Sequence, residues 1–182
     1  MAIEATFFVG DQVVYPMHGV GRIRTIITQT IERQPQHFYQ ITMAGKGGGE
    51  VLVPVNGAKA LGLRFVLEAP NVTQVLKRLQ RTPERIPSRG HITDHYAWCK
   101  ERLRQGDALG LAEVRRFLHD FEQLESLRAF KFRQLRNYVY TQLAAEIALA
   151  LNCTEGNATR LVEAALTSKR PVKYLDIIQH EQ

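Results

Sequence analysis

The sequence predicts an α+β protein, with a small antiparallel β-barrel at the N-terminus and a helical bundle behind it. Two observations support this fold class. Residues 6–54 are rich in β-branched side chains and alternate between apolar and polar positions, as strands do. After Gly62 the apolar residues recur at helical spacing instead. We therefore expect two domains, residues 1–66 and residues 67–182, with a C-terminal tail from about residue 168.

The N-terminal domain is predicted to contain four strands joined by short polar loops. The predicted strands are Val13–Tyr15 and residues 19–31, 37–43 and 50–55. The connections at 32–36 and 44–50 carry proline or glycine, which is typical of hairpin loops. Several antiparallel strands within so short a segment favour a small open barrel or a strongly bent sheet.

The C-terminal domain is predicted to contain four or five helices. We expect them to start or run at Asn71 (as N-cap), at 93–104, from Asp107 (as N-cap) to about Leu124, at 126–151, and from Thr154. The long pattern at 126–151 places Leu135, Val139, Leu143 and Ile147 on one stripe. A proline- and glycine-bearing stretch at 81–90 is expected to be a loop.

The charge of the chain is concentrated in one segment. The formal net charge is +6. Residues 77–104 hold an excess of basic over acidic side chains, the basic ones being Lys77, Arg78, Arg81, Arg85, Arg89, Lys100, Arg102 and Arg104. Such a segment can neutralise phosphates of a nucleic acid, although a solvated helix face gives the same pattern.

No pattern in the chain predicts catalysis or a resident cofactor. Cys99 and Cys153 lie far apart and form no metal-binding spacing, so we expect two reduced thiols. His91 and His95 stand four residues apart without the glutamate of a zinc-protease motif, so we expect no metal. No apolar run reaches the roughly 20 residues that a membrane span requires. We expect a cytoplasmic protein that is not an enzyme and binds no cofactor.

Five stretches of the chain resemble the CarD/CdnL family of bacterial transcription regulators. They are "GDQVVYPMHGVGRI" (10–23), "FYQI" (38–41), "VLVPVNGAKALGLR" (51–64), "RLRQGDALGLAEVRRFL" (102–118) and "AAEIALALNCTEGNATRLVEAAL" (144–166). The N-terminal domain of that family is shared with the bacterial transcription-repair coupling factor. The helical second domain makes CarD/CdnL the closer resemblance.

The resemblance implies a Tudor-like N-terminal barrel that docks on the β subunit of bacterial RNA polymerase by adding strand to strand. On this chain the docking edge would comprise Gln29, Thr30 and Ile31, with Leu52 on the neighbouring strand and Ile31 as an edge donor. The resemblance also implies a monomer that has no membrane association.

The resemblance further implies that the helical domain contacts promoter DNA beside the melted region and modulates open-complex formation. The family carries a tryptophan wedge and basic neighbours there, whereas this chain has Ile92 at the tryptophan position and Asp94 among the neighbours. We expect Trp98 in the core. The expected DNA contacts, weak or non-specific, are Arg85, Arg89, Ile92, His95, Lys100 and Arg104.

Asp94 and Ile92 keep a second interpretation open. In that interpretation the chain still docks on the polymerase, but its helical domain binds another protein rather than DNA. The basic segment at 77–104 opposes this adaptor role, and an enzyme on the same scaffold has no site to support it.

Overall fold

A computed structural model describes residues 6–44, 48–84, 86, 92–104, 106–121, 130–168 and 172. The fold is α+β. The chain divides into two compact units, Met1–Val66 and Leu67–Gln182.

The first unit is a five-stranded antiparallel sheet in the order β4-β3-β2-β1-β5. The strands are β1 (Gln12–Tyr15), β2 (Gly19–Ile31), β3 (Gln34–Met43), β4 (Glu50–Pro54) and β5 (Arg64–Phe65). Their core-facing side chains form one buried cluster that includes Ile23, Tyr39, Ile41 and Val53. These residues alternate along β2 and β3 with exposed ones, as a sheet with one buried face requires.

The described strands form an open sheet, and none of their pairings closes it into the β-barrel of the prediction. β4 pairs only with β3, and β5 pairs only with β1, so these two strands are the edges. β5 was not predicted because two residues are too few to show an alternating pattern.

β2 bends where it leaves β1. The register between β2 and β3 shifts between Ile23 and Thr25, which places Arg24 in a β-bulge. Just before the bulge, a Cβ on Gly21 would lie 2.7 Å from Ile41 Cγ2 and 2.9 Å from the Thr42 carbonyl oxygen. Glycine therefore permits the close approach of β2 to β3 at the bend.

The β2–β3 connection is tighter than predicted. Only Glu32 and Arg33 lie between the strands, with φ angles of 51° and 64°. Positive φ at both central residues of a two-residue loop is the signature of a type I′ turn. The sequence prediction of a loop over 32–36 was wrong because Pro35, normally a strand breaker, lies inside β3.

The second unit contains five described helices that bury their apolar faces in one cluster. They are α1 (Ala69–Leu79), α2 (Ile92–Arg104), α3 (Ala108–Asp120), α4 (Phe130–Leu151) and α5 (Glu155–Thr167). The predicted stripe of α4 is buried as expected, from Leu135 to Ile147. The predicted extension of α3 to Leu124 and the start of the long pattern at 126 lie outside the described residues.

Side-chain caps are present at the predicted N-cap Asp107 and at the predicted helix start Thr154. The Asp107 carboxylate accepts a hydrogen bond from the Gly110 N–H, and the Thr154 hydroxyl accepts one from Asn157 N–H at 3.2 Å. The Asn71 cap was wrong. α1 begins at Ala69, and its N-cap Glu68 makes no side-chain cap bond. Pro70 lies in the first turn of the helix, where a residue without a backbone N–H is tolerated.

Both cysteines are free thiols. Cys99 is buried, and burial raises the pKa of its thiol to about 12, so the thiolate is not populated near neutral pH. Among the described residues no group of three metal-ligating side chains comes together. No helix in the described ranges is both long and apolar enough to cross a membrane.

Candidate functional site

The β2–β3 hairpin extends beyond the strands on both sides of it. β1 pairs only with Gly19–Arg22 of β2, and β4 pairs only with residues 38–42 of β3. The tip from Thr28 to His37 is therefore a two-stranded arm. The side of β2 that faces away from β3 lies open along this arm, among the described strands.

The turn type decides which backbone groups face the open side. A two-residue type I′ turn places its flanking pair, Ile31 and Gln34, in the hydrogen-bonded class. Because the pairs of an antiparallel ladder alternate, the N–H and C=O groups of Thr30 and Thr28 point away from β3.

Other contacts on the arm agree with this alternation. His37 is paired with Thr28, and its carbonyl accepts a hydrogen bond from Val55 N–H at 2.9 Å, on the side away from β2. The Thr28 hydroxyl lies 2.9 Å from His37 Nδ1, which fits the short separation of a pair that exchanges no backbone bonds.

Pro35 makes the two edges of the arm unequal. It is opposite Thr30, so its nitrogen faces the outer side of β3, where β4 does not reach. Proline has no N–H to offer a further strand, and this is how natural sheets protect an exposed edge. The β2 edge at Thr28 and Thr30 is accordingly the side of the arm that can accept an added strand.

The sequence-predicted docking residues are exposed, but their arrangement differs from the prediction. Gln29, Thr30 and Ile31 lie on the arm, and Ile31 is 39% exposed. Ile31 is not an edge donor, because its backbone is paired with Gln34. Leu52, 41% exposed, is on β4, which β3 separates from β2, so the expected neighbouring strand was wrong.

Leu52 nevertheless shares a sheet face with two arm residues. It is opposite Gln40, which is opposite Thr25. Directly paired side chains point to one face, and Gln29 and Ile31 follow Thr25 at even spacing. The strand rise puts them roughly 13–20 Å further along that face. Nothing in the sequence shows this separation, because strand order along a sheet is not encoded locally.

The sequence-predicted DNA contacts in the second unit are only partly assembled. Arg85 and Arg89 lie outside the described residues, and Ile92 begins α2. His95 packs its ring against Phe117 of α3 at 5.5 Å between ring centroids. Lys100 and Arg104 are exposed on α2.

Arg104 does not carry an isolated charge. Its guanidinium donates to both carboxylate oxygens of Glu101, at 2.8 and 2.9 Å. This hydrogen bond lowers the pKa of the Glu101 carboxyl, so the pair stays ionised and locally neutral at neutral pH. Lys100 is thus the stronger candidate for a phosphate contact on this face.

Trp98 lies against the core. Its ring centroid is 5.2 Å from that of Phe117, and the Arg102 guanidinium carbon stands 5.6 Å from the indole centroid. Its partial burial and packing on the core cluster favour a structural role over that of a wedge.

Two further cations of the basic segment connect helices. Glu113 of α3 accepts from Arg78 Nε of α1 at 2.8 Å, and Arg102 Nε of α2 lies 3.1 Å from its second oxygen. The Arg102 contact is a charge contact without hydrogen-bond alignment. The sequence could not show that these arginines serve packing, because Glu113 is 35 residues from Arg78.

Comparison with known proteins identifies the first unit. Residues 7–67 match the family model of the CarD-like/TRCF RID domain. The first unit carries a CarD-like/TRCF RID domain. It is also 25% identical over 151 residues to the Bacillus subtilis (strain 168) protein "Putative transcription factor YdeB", a match that covers 82% of this chain and 95% of that one. The matched domain model contains the whole described sheet, including the β2–β3 arm. The resemblance found in the sequence is confirmed, and both matches support a transcription-related, RNA polymerase-interacting role.

Proposed function

We propose that this CarD-like protein docks on the β subunit of RNA polymerase through the open edge of β2 and contacts promoter DNA through its helical unit, modulating open-complex formation. The observation that carries the docking half is the unequal pair of edges on the β2–β3 arm. Thr28 and Thr30 present backbone donors and acceptors on one side, whereas Pro35 has no N–H donor on the other side.

The side chains of the arm give the edge its specificity in this proposal. Strand addition takes its affinity from main-chain hydrogen bonds and its selectivity from alternate side chains. Gln29 and Ile31 flank the outward-facing Thr30 and project to the face that carries Leu52. Separate apolar side chains of the partner, one packing on Ile31 and one on Leu52, would use both exposed surfaces.

The docking proposal predicts that removing one outward donor weakens binding. Thr30→Pro deletes the Thr30 N–H and leaves a partner carbonyl without its hydrogen bond, which costs about 1–3 kcal/mol or roughly 5- to 150-fold in affinity. Thr30→Val keeps the N–H and the β-branched shape, so it is the matched control. The measurement is the Kd of the full chain for purified β subunit.

Equal affinities for Thr30→Pro and the wild type would contradict strand addition at this edge. Thermal unfolding of both variants checks that neither substitution destabilises the protein. Pro35 already sits opposite position 30, so no ladder hydrogen bond is lost by a second proline there.

The DNA half of the proposal uses the residues that the family resemblance points to. Lys100 and Arg104 project from α2, Ile92 occupies the position of the family's tryptophan, and Arg85, Arg89 and His95 complete the expected set. Isoleucine buries less area than tryptophan at a base step and cannot stack. We therefore infer weak stabilisation of the open promoter and weak, non-specific DNA contact.

One observation favours the adaptor alternative. His95 turns toward Phe117, and Arg104 is neutralised by Glu101, so two of the expected DNA contacts are engaged within the protein. If α2 contacts no DNA, its exposed face would bind another protein. Duplex DNA that fails to bind the full chain at low salt would favour this alternative.

The remaining attributes follow from this role. We infer a monomer that acts in the cytoplasm, where it reaches the nucleoid through polymerase, and that carries no catalytic activity and needs no cofactor. The Tudor-like barrel of the resemblance would require contacts beyond the pairings of the described strands.

A further inference from the structure

A cationic groove runs along α1 in the second unit. It is lined by Gln74, Lys77, Arg78, Arg81 and Leu109, and its volume is about 270 Å³. We call this feature the α1 groove. It lies apart from Lys100 and Arg104, the described residues that the resemblance assigned to DNA, since neither of them lines it.

Helical spacing brings the polar side chains of the groove together. Lys77 and Arg78 follow Gln74 by three and four residues, and Arg81 follows them by four and three. All four therefore project from one face of α1 and the turn that follows it. Lys77 and Arg81 are exposed. Leu109 forms the opposite wall from the first turn of α3 and is 39% exposed.

Arg78 is held in position by α3. Its Nε donates to Glu113 at 2.8 Å, and the side chain is only 24% exposed. A guanidinium fixed in this way loses little conformational entropy when it meets a further anion. Lys77 and Arg81 add two exposed charges to this fixed one.

The groups around the groove leave it positively charged. Arg102 lies on the far side of Glu113, so Arg78 and Arg102 share one carboxylate. Asp107 also carries a negative charge nearby, but it caps the first turn of α3. Three cations thus line the groove, and Glu113 is shared between one of them, Arg78, and Arg102 outside the lining. The positive end of the α3 dipole, at Leu109, adds to the same potential.

The size and the lining of the groove limit the kind of ligand that it can bind. Small-molecule pockets usually exceed about 300 Å³ and are mostly enclosed, and no acceptor-rich or nucleophilic side chain lines this one. Cations on one helix face, spaced along an open groove, match the repeating phosphates of a nucleic-acid backbone. We propose that the α1 groove binds the phosphodiester backbone of duplex DNA. This inference rests on the DNA half of the proposed function and moves the main phosphate contact from α2 to α1.

The test compares two double variants of the full chain. Lys77→Gln with Arg81→Gln removes the two exposed cations of the groove and leaves the Arg78–Glu113 pair intact. Arg133→Gln with Arg160→Gln removes the same charge from exposed positions on α4 and α5. Binding to a fluorescent 20-base-pair duplex is measured between 50 and 200 mM salt.

The groove variant is expected to bind more weakly at 50 mM salt and to flatten the slope of log K against log salt by about 1.8, since each phosphate contact contributes about 0.9. The effect should be the same on unrelated duplex sequences, because phosphate contacts carry no base information. The control variant should keep the wild-type slope.

Equal slopes for the groove variant and the control would overturn the inference. So would loss of binding to a poly-glutamate peptide in the groove variant with DNA binding retained, because the occupant would then be an acidic protein. Retention of the β subunit, measured in parallel, should not change. Failure of the wild type to retain the β subunit would contradict the docking proposal and would leave the DNA-binding proposal for the α1 groove unaffected.

Discussion

Glu113 neutralises two arginines that belong, in the sequence, to one basic segment. Its side chain is 13% exposed, and Arg78 and Arg102 are 24% and 29% exposed. Removing a partly buried carboxylate leaves two cations close together without their shared partner. We predict that Glu113→Gln lowers the free energy of unfolding of the helical unit by about 1–3 kcal/mol. Urea denaturation followed by circular dichroism measures the change.

Glu101→Gln is the control for Glu113→Gln. It removes the same charge from a pair whose partner, Arg104, is 76% exposed, so solvent screens the interaction and the unfolding midpoint should not move. Equal destabilisation by both substitutions would show that the bridge among α1, α2 and α3 contributes no more to stability than the surface pair does.

Single residues were predictable from sequence where their partners are close in the chain. The Asp107 and Thr154 caps each bond a backbone N–H three residues on, so local chemistry alone indicated them. The Arg78–Glu113 and Arg102–Glu113 pairs join different helices. Sequence therefore supplied the cations but not their carboxylate, and overestimated the free positive charge.

At the scale of elements, the type I′ turn controls the arm. Glu32 and Arg33 both adopt positive φ, a conformation that costs a non-glycine residue about 1–2 kcal/mol. We predict that Glu32→Asn with Arg33→Gly, the pair that type I′ turns prefer, stabilises the sheet unit by up to about 1 kcal/mol. That corresponds to roughly 4–8 °C in Tm for a domain of this size.

The control for the turn variant is Glu32→Ala with Arg33→Ala, which removes the same charges and keeps the strained φ angles. It should show no rise in Tm. A rise of equal size in both variants would mean that charge, not backbone conformation, limits the turn.

The same hairpin shows where prediction of elements failed. Its strands were found from alternation, but Pro35 was interpreted as a loop residue because a central strand excludes proline. Proline is tolerated at position 35 because β4 does not pair with that part of β3. This pairing is a property of the sheet and not of the local sequence. Leu52 was placed beside β2 for a related reason, since strand order is set by long-range pairing. Helix α4 was easier to predict, because a helical period sustained over 22 residues cannot be mistaken for a strand.

At the scale of the molecule, we propose that the two units have separate tasks. The CarD-like unit offers one open strand edge, and the helical unit offers a cationic groove. The sequence predicted a basic segment at 77–104 that could neutralise phosphates, and the structure distributes its described charges among inter-helix bridges, a surface pair and the α1 groove. Docking through β2 is the central claim, because it brings the chain to the polymerase.

Amide hydrogen exchange of the full chain, with and without purified β subunit, tests that claim directly. Strand addition engages the outward N–H groups of Thr28 and Thr30, so their exchange should slow on binding. The ladder amides of Gln29 and Ile31 are already bonded to β3 and should change less. Slowed exchange at Thr28 and Thr30 is the predicted result. Protection confined to β4 around Leu52, with Thr28 and Thr30 unchanged, would contradict the account.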